Sequence, residues 1–168
     1  TLKNILMKSK ILVAYFSLTG TTANLASLIA SLAQADLFDI KPTVQYNKED
    51  LDWQNKESRT SKEHEDPSSR PEIDGKVDDI GKYDVIFLGF PIWWYSAPRI
   101  IQTFLDGYDF TDKKIIPFAT SLGSAIEKAE TDLSTSCKTK ANWINGKRFG
   151  TVDMDIISVK SWIDDLGI

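Results

Sequence analysis

Cysteine and histidine are almost absent from this sequence. Cys137 and His64 are the single representatives of their residue types among 168 residues. One cysteine excludes an internal disulfide and a cysteine-rich metal site, and one histidine excludes a histidine metal cluster. A Ser-His-Asp triad would depend on His64, which lies in the charged run of residues 61–66. We expect this histidine to be a solvated surface side chain.

Positive charge is also scarce, and it is not clustered. The 20 lysines and arginines are outnumbered by 24 aspartates and glutamates, so the formal net charge is -4. No basic cluster offers a stripe for a nucleic-acid backbone, and acidic character disfavours anionic membrane surfaces. We therefore expect neutral small molecules or proteins with a basic face as partners, and neither nucleic acid nor membrane.

Long apolar runs are missing as well. The longest, over residues 85–97, is interrupted by Gly89 and Pro91 and falls short of the roughly 20 residues that a membrane span needs. No secretory signal is recognised, so we expect a cytoplasmic protein. The length suits one domain. Because Met7 precedes the first strong strand pattern, we divide the chain into an N-terminal extension, residues 1–9, and a single domain, residues 10–168.

Strand and helix patterns alternate along that domain. Strand patterns cover residues 10–16, 36–41 (ended by Pro42), 83–89 and 114–119. Helical patterns cover residues 23–32 with Thr21 or Thr22 as cap, 48–65, 98–105, a stretch beginning near Ala125, and a last helix from Ser158 as cap to Gly167. Residues 143–144 and 148–149 flank a predicted turn at Asn145 and Gly146. Such alternation predicts an α/β fold with a doubly wound parallel sheet.

The loop after the first strand combines hydroxyl groups with a glycine at the start of a helix. Its residues are Ser17, Leu18, Thr19, Gly20, Thr21 and Thr22. A helix N-terminus presents free N–H groups and a positive dipole end, which suits a phosphate. The loop carries no lysine and therefore differs from a P-loop. Taken alone, it is equally well explained by helix capping.

The loop after the third strand is unusually aromatic. It contains Pro91, Ile92, Trp93, Trp94 and Tyr95. In a doubly wound sheet, ligands bind at the carboxyl ends of the strands, and a flat aromatic wall there suits a planar ring system. The alternative is that these rings fill a core or an interface. We expect one of the two tryptophans to serve the core.

The loop after the fourth strand again places hydroxyl groups and a glycine before a helix. Its residues are Thr120, Ser121, Leu122, Gly123 and Ser124. Its backbone N–H groups are candidates to donate to the carbonyl oxygens of a ring, or simply to cap that helix.

Together, the three loops resemble those of the flavodoxin family. The run from Ser17 to Thr22 is similar to the family's Ser/Thr-x-Thr-Gly-x-Thr phosphate loop, and Pro91 to Trp94 resembles the Pro-x-Trp-Trp segment of a bacterial flavodoxin-like subgroup. The resemblance implies a three-layer sandwich whose five-stranded parallel sheet has the order 2-1-3-4-5. Two departures are Leu122, where the subgroup usually has glycine, and the lack of an aromatic residue in the third loop.

The resemblance also implies a cofactor, flavin mononucleotide (FMN). Its phosphate would lie in the first loop and its isoalloxazine between the second and third. The implied function is electron transfer as a flavodoxin-like redox carrier, with redox partner proteins, a small electron acceptor or a second copy of the chain as partners. One alternative is an NAD(P)H-dependent reductase of quinones or similar acceptors. Another is a non-catalytic phosphosugar- or nucleotide-binding regulator, since fold alone does not fix function.

Overall fold

The computed structural model describes residues 10–168, so the predicted extension of residues 1–9 lies outside the described part of the chain. In chain order the strands and helices are β1 (Ile11–Tyr15), α1 (Thr21–Ala33), β2 (Asp36–Asp39), β3 (Lys41–Pro42), α2 (Arg59–Glu65), β4 (Ile73–Asp74), β5 (Val85–Pro91), α3 (Arg99–Asp106), β6 (Lys114–Thr120), α4 (Glu127–Ser136), β7 (Asn142–Trp143), β8 (Lys147–Phe149) and α5 (Ile156–Leu166). A 3₁₀ turn lies at Ile80–Lys82.

The main sheet is parallel, and its central strands are the apolar runs of the sequence. Its order is β2-β1-β5-β6, and the position beyond β6 is filled by β7 and β8, which pair with successive parts of β6. If β7 and β8 are counted as one interrupted edge strand, the five strands of this sheet, numbered along the chain, have the predicted order 2-1-3-4-5. The α/β prediction is confirmed.

Helices cover both faces of this sheet, because its central strands carry apolar side chains on both sides. On one face, α1 and α5 pack against the sheet through Leu25, Ile29, Val159 and Ile163. On the other face, α3 and α4 pack through Ile101, Phe104, Ala129 and Leu133. The result is the predicted three-layer sandwich.

Between residues 10 and 168 no helix combines the length and apolar character that a membrane crossing requires.

The predicted helix over residues 48–65 is largely wrong. Only Arg59–Glu65 is helical, and residues 48–57 form a series of turns. The cause is local: the side chain of Asn47 accepts a hydrogen bond from the N–H of Asp50 (2.7 Å), and that of Asn55 accepts from the N–H of Glu57 (3.0 Å). Such side-chain bonds compete with the helical backbone pattern.

Several predicted boundaries also differ from the structure. The second strand ends at Asp39, and Pro42 lies in β3, which pairs with β4. No threonine side chain caps α1, whose N-cap is Gly20. The last helix begins at Ile156 and is capped by Asp155, whose Oδ1 accepts from the N–H of Ser158 (2.9 Å), so Ser158 lies in the first turn and is not the cap.

The predicted turn at Asn145 and Gly146 does not join two paired strands. The segments on either side, β7 and β8, do not pair with each other, because both run parallel to β6. Gly146 instead lets the chain pass close to that strand. A Cβ atom at Gly146 would lie 1.8 Å from the carbonyl oxygen of Pro117.

Candidate functional site

The three predicted loops meet at the carboxyl ends of β1, β5 and β6, around a crevice of about 510 Å³. Predicted residues that line it are Leu18, Thr19, Thr22, Pro91, Ile92, Trp93, Trp94, Tyr95, Thr120 and Ser124. The other predicted residues, Ser17, Gly20, Thr21, Ser121, Leu122 and Gly123, are not part of the lining. They belong to the same loops, and their role in binding stays a prediction.

Hydrogen bonds hold the three loops together at the floor of the crevice. The hydroxyl groups of Thr22 and Thr120 lie 2.8 Å apart in a buried contact between the first and third loops. The backbone N–H of Ile92 donates to the carbonyl oxygen of Thr120 (3.2 Å) and so ties in the second loop. The three loops therefore form one site.

The first loop has unused hydrogen-bonding capacity. The Oγ of Ser17 is buried and has no hydrogen-bond partner among residues 10–168. Gly20 adopts a left-handed φ of 93°, which brings the chain around to start α1, and no side chain caps that helix. A buried polar group without a partner costs free energy, about 1–3 kcal/mol. An anion at the N-terminus of α1 would provide the missing acceptor.

The second loop folds back on itself as a short, strained hairpin. The backbones of Trp93 and Ser96 exchange two hydrogen bonds of 2.9 Å each. The two residues between them have positive φ values, 48° at Trp94 and 65° at Tyr95. Such conformations cost about 1–3 kcal/mol each in a residue with a side chain, and they cluster at functional sites. Ser96 anchors the hairpin by donating its hydroxyl to Asp132 (2.7 Å).

Trp93 connects this hairpin to the core, as expected for one of the two tryptophans. Its ring packs edge-on against Phe16 (centroids 5.8 Å apart) and against Tyr46 (5.9 Å). Tyr46 is itself held from two sides, because its hydroxyl donates to Glu63 and the guanidinium of Arg59 lies 3.7 Å from the centre of its ring. Burial and the bond to Glu63 raise the pKa of Tyr46 well above its ordinary value.

Trp94 stacks on His64, which was expected to be a solvated surface side chain and is instead half-buried. The two rings are 4.7 Å apart and inclined by 15°. The charged sequence around His64 suggested exposure, but the short helix α2 turns this side chain toward the hairpin. Burial, helped by Arg99 and Lys128, lowers the pKa of His64 below its ordinary value. The neutral form of the imidazole is therefore favoured more than in an ordinary histidine.

The third loop satisfies its own backbone. The Oγ of Ser121 accepts from the N–H groups of Gly123 (3.2 Å) and Ser124 (2.8 Å). Leu122 projects into solvent with 90 % of its surface exposed. These bonds close a turn within the loop and do not cap α4, whose N-cap is Ile126 and which has no side-chain cap. Thr120 and Ser124 line the crevice.

Three lining residues were missed by the sequence analysis. Leu51, Trp53 and Thr60 all come from the segment that was predicted to be a long helix. Trp53 is 66 % exposed and stands at the crevice from the turn region. Thr60 holds that region in place by donating its hydroxyl to the carbonyl oxygen of Asp50 (2.8 Å). The feature of the sequence that could have indicated this part of the site is Trp53, a large aromatic residue within a very polar run.

The chemical character of the crevice follows from its lining. Among the described residues that form it there is no aspartate, glutamate, lysine, arginine or histidine. Hydroxyl groups, among them that of Thr22 in the first turn of α1, line the crevice together with aromatic rings. The arrangement suits a molecule that combines an anionic group with a flat, uncharged ring system.

A doubly wound parallel sheet with such a crevice at its strand ends defines a class of small-molecule-binding α/β proteins. Within that class, the family model described as Flavodoxin matches residues 10–166. The chain belongs to the flavodoxin family.

Solved structures agree with this assignment. The chain is 45% identical to a protein of Bacteroides eggerthii described as a candidate flavoprotein, with a TM-score of 0.89 over 95% of this chain and 99% of that one. A similar protein of Bacteroides uniformis is also 45% identical, with a TM-score of 0.87 over 93% and 98%. A flavoprotein of Lactobacillus acidophilus, solved in complex with FMN, shares the fold at 23% identity and a TM-score of 0.72 over 95% and 99%.

One curated relative adds a partial similarity. It is an uncharacterised NAD(P)H oxidoreductase of Escherichia coli, YcaK, 26% identical over 76 residues. The alignment covers 42% of this chain and 34% of that protein. The chain thus matches about a third of the length of this relative.

Proposed function

We propose that this protein binds FMN in the crevice and acts as a flavoprotein in electron transfer. The observation that carries the proposal is the buried hydroxyl of Ser17, which has no partner among the described residues and lies in the loop that leads to the uncapped N-terminus of α1. The same loop borders a crevice with an aromatic wall. FMN has the matching parts, a phosphate and a flat tricyclic ring. The family and the FMN complex of the Lactobacillus protein support the choice of this ligand.

Each part of the crevice has a distinct task in this proposal. Ser17, Thr19 and the N–H groups at the start of α1 would hold the phosphate, and Thr22 would support them from the floor. Trp94 and Tyr95 would border the ring, while Trp93 fixes the hairpin to the core. When bound, FMN supplies reversible one- and two-electron chemistry. The protein orients it and shields part of it from water, and the described residues of the lining offer no carboxylate or imidazole as a proton donor.

Two observations bear on what exchanges electrons with the cofactor. The net charge of -4 suits docking to a redox protein with a basic face, which favours the carrier function. The exposed rings of Trp53 and Tyr95 at the crevice, together with the partial similarity to the E. coli oxidoreductase, support an NAD(P)H-dependent reductase of quinones as the second candidate. We place the carrier function first.

The ligand is tested by titrating the apoprotein with FMN and following flavin fluorescence, with riboflavin as a control that lacks the phosphate. We expect FMN to bind at micromolar concentration or below, and riboflavin to bind at least tenfold more weakly. Equal binding of the two would remove the phosphate site from the proposal. Absence of any flavin binding would favour the non-catalytic phosphosugar- or nucleotide-binding regulator.

The two redox functions are separated by a second measurement. The FMN-loaded protein is mixed with NADPH or NADH and a soluble quinone, and the absorbance of the nicotinamide is followed. A carrier gives no turnover but is reduced in two separate one-electron stages in a potentiometric titration. A reductase oxidises the nicotinamide at a rate that depends on quinone concentration.

A further inference from the structure

The aromatic wall of the crevice has a second layer, formed by His64. Its imidazole covers one face of the Trp94 indole at 4.7 Å and 15°, and it is not itself part of the crevice lining. Trp94 thus separates the imidazole from the space that a ligand would fill. No other residue of the described chain stacks in parallel on this indole.

Helix α2 fixes the position of that imidazole. The guanidinium of Arg99, on α3, donates to the carbonyl oxygens of Glu63 (3.2 Å) and His64 (2.6 Å) at the end of α2. It also donates to the side chain of Gln102 (3.2 Å). His64 is therefore clamped to the protein core through its own backbone, while Trp94 sits in a turn with a left-handed backbone. Ring stacking is a direct contact between the two elements.

Charged groups from several elements surround His64. Those that influence it are Glu65 on α2, Arg99 on α3, and Lys128 and Asp132 on α4, and Lys56 lines the same surface depression. The two anions favour protonation, but burial together with Arg99 and Lys128 outweighs them, so the pKa of His64 lies below its ordinary value. Acid would thus place a second cation beside Arg99 in a half-buried position, which favours release of the ring toward water.

We propose that His64 is a positioning residue for the flavin wall: the neutral imidazole holds Trp94 in the orientation that binds FMN, and its protonation withdraws that support. The inference rests on the proposed FMN site. It assigns the single histidine of the chain to the control of cofactor affinity by pH, although this side chain does not reach the crevice.

The stack itself is tested on the apoprotein, without FMN. His64 is the only histidine in the sequence, so its ring protons are directly assignable by proton NMR. We expect the stacked indole to shift these signals upfield and W94A to return them toward the values of a free histidine. Identical histidine shifts in wild type and W94A would overturn the proposal.

The effect on the cofactor is tested by FMN titration of wild type, H64F, H64A and K62A from pH 7.5 to pH 5. H64F keeps a flat ring against Trp94 but cannot be protonated, whereas H64A removes the support. K62A is the matched control, because Lys62 lies on the same helix and contacts Glu57 (3.3 Å) rather than the hairpin. At pH 7.5 we expect the Kd to rise about tenfold in H64A, less than threefold in H64F and not at all in K62A.

The pH profile separates positioning from a merely structural role. The phosphate of FMN has its own pKa near 6, but this titration is common to all variants and cancels in a ratio. We expect the ratio of the wild-type Kd to the H64F Kd to increase at least threefold from pH 7.5 to pH 5. A constant ratio, or an H64A protein that binds like wild type, would overturn the proposal while leaving FMN binding intact. Failure of wild type to bind FMN would instead overturn the proposed function and this inference with it.

Discussion

The Oγ of Ser17 combines two properties that usually exclude each other, burial and the lack of a hydrogen-bond partner among residues 10–168. Replacing Ser17 with alanine removes an unsatisfied polar atom, so we expect the stability of the apoprotein to stay the same or to rise by up to about 1 kcal/mol. FMN affinity should fall about tenfold or more, because a hydrogen bond to a charged group contributes about 1.5–3 kcal/mol. Urea denaturation of the apoprotein and FMN titration measure the two effects.

A suitable control for Ser17→Ala is Ser134→Ala, since Ser134 is exposed on α4, away from the crevice lining. Ser134→Ala should leave both the stability of the apoprotein and its affinity for FMN unchanged. A loss of more than 1 kcal/mol of apoprotein stability in Ser17→Ala would mean that the hydroxyl has a partner within the protein and is not kept free for a phosphate.

Among individual residues, those of the loops at the strand ends could be identified from the sequence. The residues that pack against these loops could not. Thr22, Trp94 and Thr120 were predictable, because parallel strand ends converge and the loops directly follow strong strand patterns. His64 and Trp53 were not, because their positions depend on turns formed by asparagine and aspartate side chains within a polar segment. The polar composition of this segment indicates exposed side chains. Tertiary packing nevertheless brings the ring of Trp53 to the crevice and that of His64 to its aromatic wall.

Among the elements, the interrupted edge strand gives the sharpest prediction. Gly146 passes so close to β6 that a Cβ atom would overlap the carbonyl oxygen of Pro117 at 1.8 Å. Gly146→Ala must displace β7 or β8 from β6, and we expect a loss of about 2 kcal/mol or more in the free energy of unfolding. Chemical denaturation followed by circular dichroism measures it.

Gly107→Ala provides the comparison for this substitution. Gly107 ends α3 with an ordinary φ of -85°, and an added Cβ atom would meet backbone oxygens at 3.5 Å or more, in normal contact. It should be neutral or slightly stabilising, because alanine loses less conformational entropy on folding. Equal effects of the two substitutions would show that the edge strand can move away from β6 at little cost.

Element boundaries in the core were predictable, and those in the polar segments were not. Strands β1, β5 and β6 are long apolar runs buried on both faces, so their pattern has one interpretation. The segment before α2 has no apolar periodicity to oppose local capping by Asn47, Asp50 and Asn55, and turns replaced the expected helix. The edge strand could not be inferred from Asn145 and Gly146, because parallel pairing with β6 is a non-local contact.

For the molecule as a whole, charge predicts an unusual response of FMN binding to salt. The chain is acidic, with a net charge of -4, and the described crevice lining contains no lysine or arginine. A phosphate site built from cations loses affinity as salt increases, because each ion pair is screened over a Debye length of about 10 Å at 0.1 M. Here the phosphate would be held by hydroxyl groups and a helix terminus, while the rest of the protein repels it weakly.

Added salt should therefore screen mainly the repulsion between the acidic protein and the phosphate of FMN. We expect the Kd for FMN to stay constant or to decrease by up to about threefold between 0.02 M and 0.5 M potassium chloride at pH 7.5. Titration at several salt concentrations checks this, and riboflavin, which has no phosphate, corrects for the effect of salt on ring stacking. A Kd that increases tenfold with salt would reveal a cation at the phosphate, contributed by residues other than those of the described crevice, and would move the site away from Ser17.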